Sequence, residues 1–337
     1  MRAFKPCMRP TSPLAVLLLV ALLAPPVLAA DGDADAIPDD LEARTERSLT
    51  YRTFPSDAPT AFYARSESEG APVDDAFEVD WSAGRLMVTY FPDTAGAKAL
   101  ALEVRLLRLV EFIDADANGE VALSERLQWL DLDKSGYGGA AIAEGVQVDG
   151  ARVASFTTHR EVLSVRLAVA TRFAAVDGER ALAPVEVEVV FQIEGWDYEA
   201  LESRLALEVS LEGAAQVQEF TPPSGYALGV GEQALSISSA SAEASLAWER
   251  TADVDGARPA VIASTPSPGT LPARLSFWYP RGASIEQSLR VGVLSSVFSA
   301  QAAAPSPEVS AGVYAATAAA VASLVGATFY LRRKRAR

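Results

Sequence analysis

Asp114, Asp116, Asn118 and Glu125 occupy positions 1, 3, 5 and 12 of one twelve-residue stretch, Asp114-Ala115-Asp116-Ala117-Asn118-Gly119-Glu120-Val121-Ala122-Leu123-Ser124-Glu125. These are oxygen donors, and a hard cation such as calcium takes six to eight oxygens at about 2.3–2.6 Å, which a contiguous loop supplies by wrapping around the ion. Asp114, Asp116 and Asn118 would give side-chain oxygens, Gly119 the sharp turn, and Glu120 its main-chain carbonyl. Ala122 is too short to reach and would leave its place to water, and Glu125 would close the site with both oxygens. Val121, at position 8, is apolar and should turn back into the protein. Every demanding position of the D-x-[DN]-x-[DN]-G-x5-E pattern is met. Asn118 is also the single Asn among 337 residues, so its place in the loop is not drawn from a background of scattered amides.

Other chemistries find no support. His159 is the only histidine and Cys7 the only cysteine, which leaves no histidine or thiolate zinc set. No G-x-S-x-G elbow accompanies the lone histidine, and no Walker or Rossmann glycine pattern is present. No catalytic residue is therefore assigned, and His159 reads as part of a solvated turn. Paired carboxylates could serve a glycosidase, but with 44 acidic residues spacing selects no pair. Trp81, Trp129, Trp196, Trp248 and Trp278 could stack on sugars, yet Trp in alternating strands is usually core. Trp196, between Gly195 and Asp197, is the one whose neighbours suggest exposure. A carbohydrate-binding or carbohydrate-cleaving domain is the alternative reading.

Both ends of the chain read as addresses. Arg2, Lys5 and Arg9 precede an apolar run from Leu14 to Leu23 and a small-residue end at Ala29-Ala30, the pattern of a signal peptide over 1–30. Export would remove Cys7 and leave a mature chain without disulfides. Residues 309–331 are uncharged and precede Arg332-Arg333-Lys334-Arg335-Ala336-Arg337, which predicts one transmembrane helix and a basic cytoplasmic tail over 332–337. A plain anchor and a processed sorting tail both fit. Gly312, Ala316 and Ala320 recur at helical spacing and would permit a homodimer through that helix. The net charge of −15 sets the chain against nucleic acid and favours divalent cations.

Residues 31–74 read as an acidic leader and linker, with a short helix over 40–49. Inside the leader, Asp31, Asp33, Asp35, Ile37, Asp39 and Glu42 fall on the ligand positions of a second twelve-residue candidate. It resembles the calcium loop of thrombospondin type 3 repeats, with Ala36 where that loop carries Gly. A disordered acidic leader reads equally well there. Asp131-Leu132-Asp133-Lys134-Ser135-Gly136-Tyr137 starts like another loop but meets Ile142 at position 12, so it reads as a turn.

Over 75–300 short alternating runs predict a large antiparallel β-sandwich with the EF-hand-like loop inserted, followed by a linker over 301–308. Phe77–Trp81, Arg85–Phe91, Val146–Asp149, Ala151–Thr157, Val162–Phe173, Val185–Ile193, Arg204–Leu211, Ala234–Ser239, Ala244–Glu249, Ala260–Ser264, Arg274–Tyr279 and Ser288–Val293 read as strands. Leu100–Ile113 fits two periods. As a helix it would resemble the entering helix of an EF-hand, but as a strand Leu100, Leu102, Val104, Leu106, Val110 and Phe112 share one face, broken by Arg108. The strand is preferred because Leu127 and Trp129 alternate as well.

The order of a strand into DxDxNG, the segments Val185 to Glu208, and Arg274-Leu-Ser-Phe-Trp278-Tyr279-Pro280 resembles a group of uncharacterised prokaryotic surface proteins with an EF-hand-like loop in a β-rich ectodomain. The resemblance implies a β fold, a calcium ion and often a C-terminal anchor. With the charge and the two ends, it leads to one expectation: a single-pass, calcium-binding surface protein whose ion is structural and whose partner is an extracellular protein or glycan.

Overall fold

The computed structural model describes residues 47–54, 61–68, 74–116, 121–134, 136–146, 150–174, 182–220 and 231–294. The signal peptide, the loop of Asp31 to Glu42 and the apolar run 309–331 lie outside these residues. Among the described residues no helix is long and apolar enough to cross a membrane.

The described chain is mostly strand, as its alternating sequence predicts. In order come β1 (Ser48–Phe54), β2 (Ala61–Ser68), β3 (Asp75–Ser82), β4 (Arg85–Phe91) and the long β5 (Leu100–Phe112). A single 3-10 turn at Leu123–Glu125 leads into β6 (Arg126–Asp131), β7 (Gly138–Val146), β8 (Arg152–Arg160) and β9 (Leu163–Ala170). Then follow β10 (Glu186–Glu194), β11 (Arg204–Gly213), β12 (Gln216–Glu219), β13 (Glu232–Ser238) and β14 (Glu243–Glu249). The last are β15 (Asp253–Val254), β16 (Ile262–Ser264), β17 (Gly269–Thr270), β18 (Ala273–Tyr279) and β19 (Ser284–Leu294).

Two antiparallel sheets result. The first runs β1-β2-β3-β4-β5-β11-β18-β16, with β6 also paired to β5, and the second runs β17-β12-β13-β14-β19-β10-β9-β8-β7, with β15 on β19. Their facing sides bury one large apolar cluster, in which Phe62 of β2 stacks on Phe156 of β8 at 5.0 Å and Trp248 of β14 meets Phe277 of β18 edge-on at 5.7 Å. This is the arrangement of a β-sandwich, two sheets closed over alternating inward residues.

Three local expectations change. Residues 48–68, read as helix end and linker, carry β1 and β2, which pair in register from Ser48↔Glu67 to Phe54↔Ala61 and extend the first sheet. Their inward positions on β2 are Phe62, Ala64 and Ser66, and only the first of these carries a strong apolar signal. β7 begins at Gly138, upstream of the strand expected at Val146–Asp149; its Gly- and Ala-rich sequence has no period to read. His159 lies on β8 rather than in a turn, opposite Gly138, with its ring against Gly139.

The end of the first sheet inserts at the N-terminal side of β1. Arg47 is buried and pairs with the buried Asp75, donates to Ser66 Oγ at 2.9 Å and to the Ser66 carbonyl at 3.0 Å, while its own N–H bonds Thr171 O at 2.8 Å. The turn at 131–137 docks on the β3–β4 hairpin, where only Gly fits at position 84: φ is +79° and a Cβ would sit 2.5 Å from the Leu132 carbonyl oxygen.

Candidate metal centre

β5 delivers the chain to the loop, and a bulge in it decides which side chains face which way. Against β11 the register passes from Glu208↔Arg108 to Val209↔Leu106, skipping Leu107. An extra residue reverses the faces beyond it. Leu100, Leu102, Val104 and Leu106 point into the core, and so does Leu109, whereas Val110 and Phe112 turn to the outer face of the first sheet. The single inward face expected for Val110 and Phe112 together with Leu100–Leu106 is therefore corrected, and Arg108 is no longer an exception to it.

On the outer face Trp129, Val110, Ala206, Trp278 and Ile262 form one cross-strand row over β6, β5, β11, β18 and β16. Phe112 meets Trp278 edge-on at 4.9 Å, and Val121 of the loop packs against this group. The apolar position 8 thus seats the loop on the sheet. Arg126, the first residue of β6, fixes the exit by donating to Glu208 Oε1 at 2.7 Å and to the Val121 carbonyl at 3.4 Å.

The two ends of the loop meet. Ile113 N–H donates to the Glu125 carbonyl at 3.1 Å, and the Glu125 N–H closes the 3-10 turn onto Ala122 O at 3.1 Å. The Glu125 carboxylate reaches back across the ring, accepting from Ala115 N–H at 2.9 Å on one oxygen and from Ala122 N–H at 3.0 Å on the other. Around it Asp114, Asp116 and Glu125 each place an oxygen so that all lie within 4.8 Å of one another. This acidic cluster could hold a metal ion. Oδ1 of Asp114 is buried and accepts no hydrogen bond within the protein, so it offers the free lone pairs that a cation requires. Oxygen-only donors suit a hard cation rather than a thiophilic one.

Asn118, Gly119 and Glu120 lie outside the described residues, as do Asp31, Asp33, Asp35, Ile37, Asp39 and Glu42. The neighbouring carboxylates of the 131–137 turn do not join the cluster. Asp131 pairs with Lys134, which holds its carboxyl below the usual range, and Asp133 accepts from Arg105 at 3.0 Å.

One carboxylate escaped the sequence reading altogether. Glu111, three residues before Asp114, is fully buried by the phase reversal and accepts from Ser203 Oγ at 2.5 Å, Gln128 Nε2 at 2.7 Å, Glu199 N–H at 3.0 Å, Ala200 N–H at 3.1 Å and Trp196 Nε1 at 3.4 Å. Burial pushes its pKa up, but the bonds from Ser203, Gln128 and the two amides outweigh burial and hold it below the ordinary glutamate value. It pins the connection between β10 and β11 across the end of the sandwich, and nothing local in the sequence announces those partners.

Tryptophan exposure follows the expectation of core placement for three of the five and departs from it in which one is exposed. Trp81, Trp248 and Trp278 are buried, Trp196 is half-buried beside Glu111, and Trp129 is the exposed one at 58%. The chain matches no protein-family model, and comparison with curated proteins finds no similar sequence.

Proposed function

We propose that this chain is a calcium-binding surface protein, exported and held by its C-terminal apolar run, whose β-sandwich is stiffened by the ion and presented for adhesion or partner binding. The observation that carries the reading is the convergence of Asp114, Asp116 and Glu125 within 4.8 Å, with a buried and unpaired Asp114 oxygen among them. Calcium is the favoured ion because the sequence supplies the further oxygens of Asn118 and Glu120 at the spacing calcium loops use, and because flexible six-to-eight coordination suits a loop better than the strict octahedron of magnesium.

The ion's role follows from where the loop sits. It joins β5 to β6 and lies on the outer apolar row through Val121, so an ion there would tie a strand end to the sheet rather than open a groove. Extracellular calcium modules bind at about 10⁻⁴–10⁻³ M, and a site a hundredfold above its dissociation constant gains about 2.7 kcal/mol of stability. With Trp81, Trp248 and Trp278 buried, the sugar-stacking alternative keeps only Trp129 and the half-buried Trp196 to draw on. Calorimetric titration with calcium and with magnesium tests the assignment. Heat with calcium at one site per chain and a much weaker response to magnesium supports it; no heat with either ion overturns it.

A further inference from the structure

The ends of a sheet present unpaired N–H and C=O groups, and folded proteins blunt them with short strands, charges or proline because a free edge templates pairing with another chain. Three of the four ends of the two main strand paths are blunted, and β6, which branches off β5, is short and carries Arg126 and Asp131. β16 has three residues and β17 two, and β1 carries Arg52 and runs into Pro55. The fourth is β7, nine residues long and bonded to β8 alone among the described strands. It contains no proline, lysine or arginine.

Its one charge does not guard it. Glu144 accepts from Arg152 Nε at 2.9 Å and from Tyr51 Oη at 2.5 Å, so its carboxylate is neutralised by the neighbouring strand and drawn sideways over β1. Ile142 faces the core, whereas Ala141, Ala143 and Gly145 point outward and are exposed. A Cβ built at Gly145 meets nothing within 4 Å.

We propose that β7 is a dimerisation edge, pairing antiparallel with β7 of a second copy of this chain. A two-fold axis perpendicular to the sheet keeps both cores on one side and must pass through a residue paired with its own copy. The residues of β7 narrow the register. The pairing with β8 shifts between Gly138 and Ala141, so the regular edge begins at Ala141. Centring on Glu144 would set two carboxylates opposite each other, which is destabilising. Centring on Ala143 pairs Ala141 with Gly145 of the second copy and Ile142 with its Glu144, and stays clear of the bulge. The two ten-stranded sheets would then continue into one another.

The test uses the full chain in detergent with Cys7→Ser as background, since Cys7 is its only cysteine. Directly opposed residues in an antiparallel pair have Cα atoms about 4.5–5.5 Å apart, within the reach of a disulfide. Ala143→Cys should therefore form a disulfide-linked dimer under mild oxidation at roughly ten times the yield of Thr50→Cys, an exposed cysteine on the β1 edge. Ala143 is exposed and points away from the core, so the variant should melt like the parent. Sedimentation of the unmodified chain should show a dimer that dissociates on dilution. Equal yields at positions 143 and 50, or a sedimenting monomer at every concentration, would overturn the proposal.

Discussion

Ile113 N–H lies 3.1 Å from the carbonyl oxygen of Glu125, so the strand end that enters the loop and the residue that closes it are direct hydrogen-bond neighbours. The relationship explains how the two ends of the acidic loop are held together without flanking helices. In this sandwich the antiparallel β5 and β6 hold the ends together, and Val121 presses the middle onto Phe112 and Trp278.

Removing the central ligands should abolish binding. Asp114→Ala combined with Glu125→Ala should leave no calcium heat in calorimetry. Glu125→Gln retains one oxygen acceptor but loses the charge and the two-oxygen grip, so its affinity should fall at least tenfold, about 1.4 kcal/mol. An unchanged dissociation constant in either variant would sink the assignment of this loop.

Seating should matter as well as ligation. Val121→Ala deletes half-buried methyl groups between loop and sheet, and it should weaken calcium binding several-fold with little loss of overall stability. Trp278→Ala removes the floor of the same cluster and should cost about 3–5 kcal/mol in denaturant unfolding. If Val121→Ala leaves calcium affinity untouched, the loop is not held by its apolar contact.

The buried pair Arg47–Asp75 fastens β1 to the body of the sandwich. Asp75→Ala strands a guanidinium in the interior, and breaking a buried pair from one side costs about 3–5 kcal/mol. Chemical denaturation of the variant would measure the loss. A change within a few tenths of a kcal/mol would mean that the pair contributes little and that β1 is held by its ladder.

Glu111 sets a pH dependence whose sign is fixed. Its folded pKa is lowered, so the stabilisation is present above the ordinary glutamate value of about 4.3 and is lost as pH falls through the folded value. Acid unfolding of the wild type should steepen below that point, and Glu111→Gln should lose stability at neutral pH while showing a shallower acid limb. Parallel curves for the two proteins would show that the carboxylate is not the group that titrates.

The strand choice for Leu100–Ile113, the positions of most later strands and the turn at 131–137 were legible because local period and turn residues carry them. The bulge at Leu107 was not, since it is set by the register against β11, about a hundred residues away, and it alone turns Glu111 inward and Phe112 outward. β1 and β2 hid behind Pro55 and Pro59 and an inward face of Phe, Ala and Ser. β7 hid because glycine and alanine have no faces to alternate. In the candidate site, Asp114, Asp116 and Glu125 were legible because all three come from one contiguous stretch, whereas the partners of Glu111 come from 195–203 and from β6.

The most direct measurement is the thermal melt of the chain in millimolar calcium and in chelator, repeated with Asp114→Ala and Glu125→Ala together. The wild type should melt several degrees higher with calcium, and the variant should not shift. Identical melting of the wild type in calcium and in chelator would contradict it, and the acidic loop would then be a solvated turn on an otherwise self-sufficient sandwich.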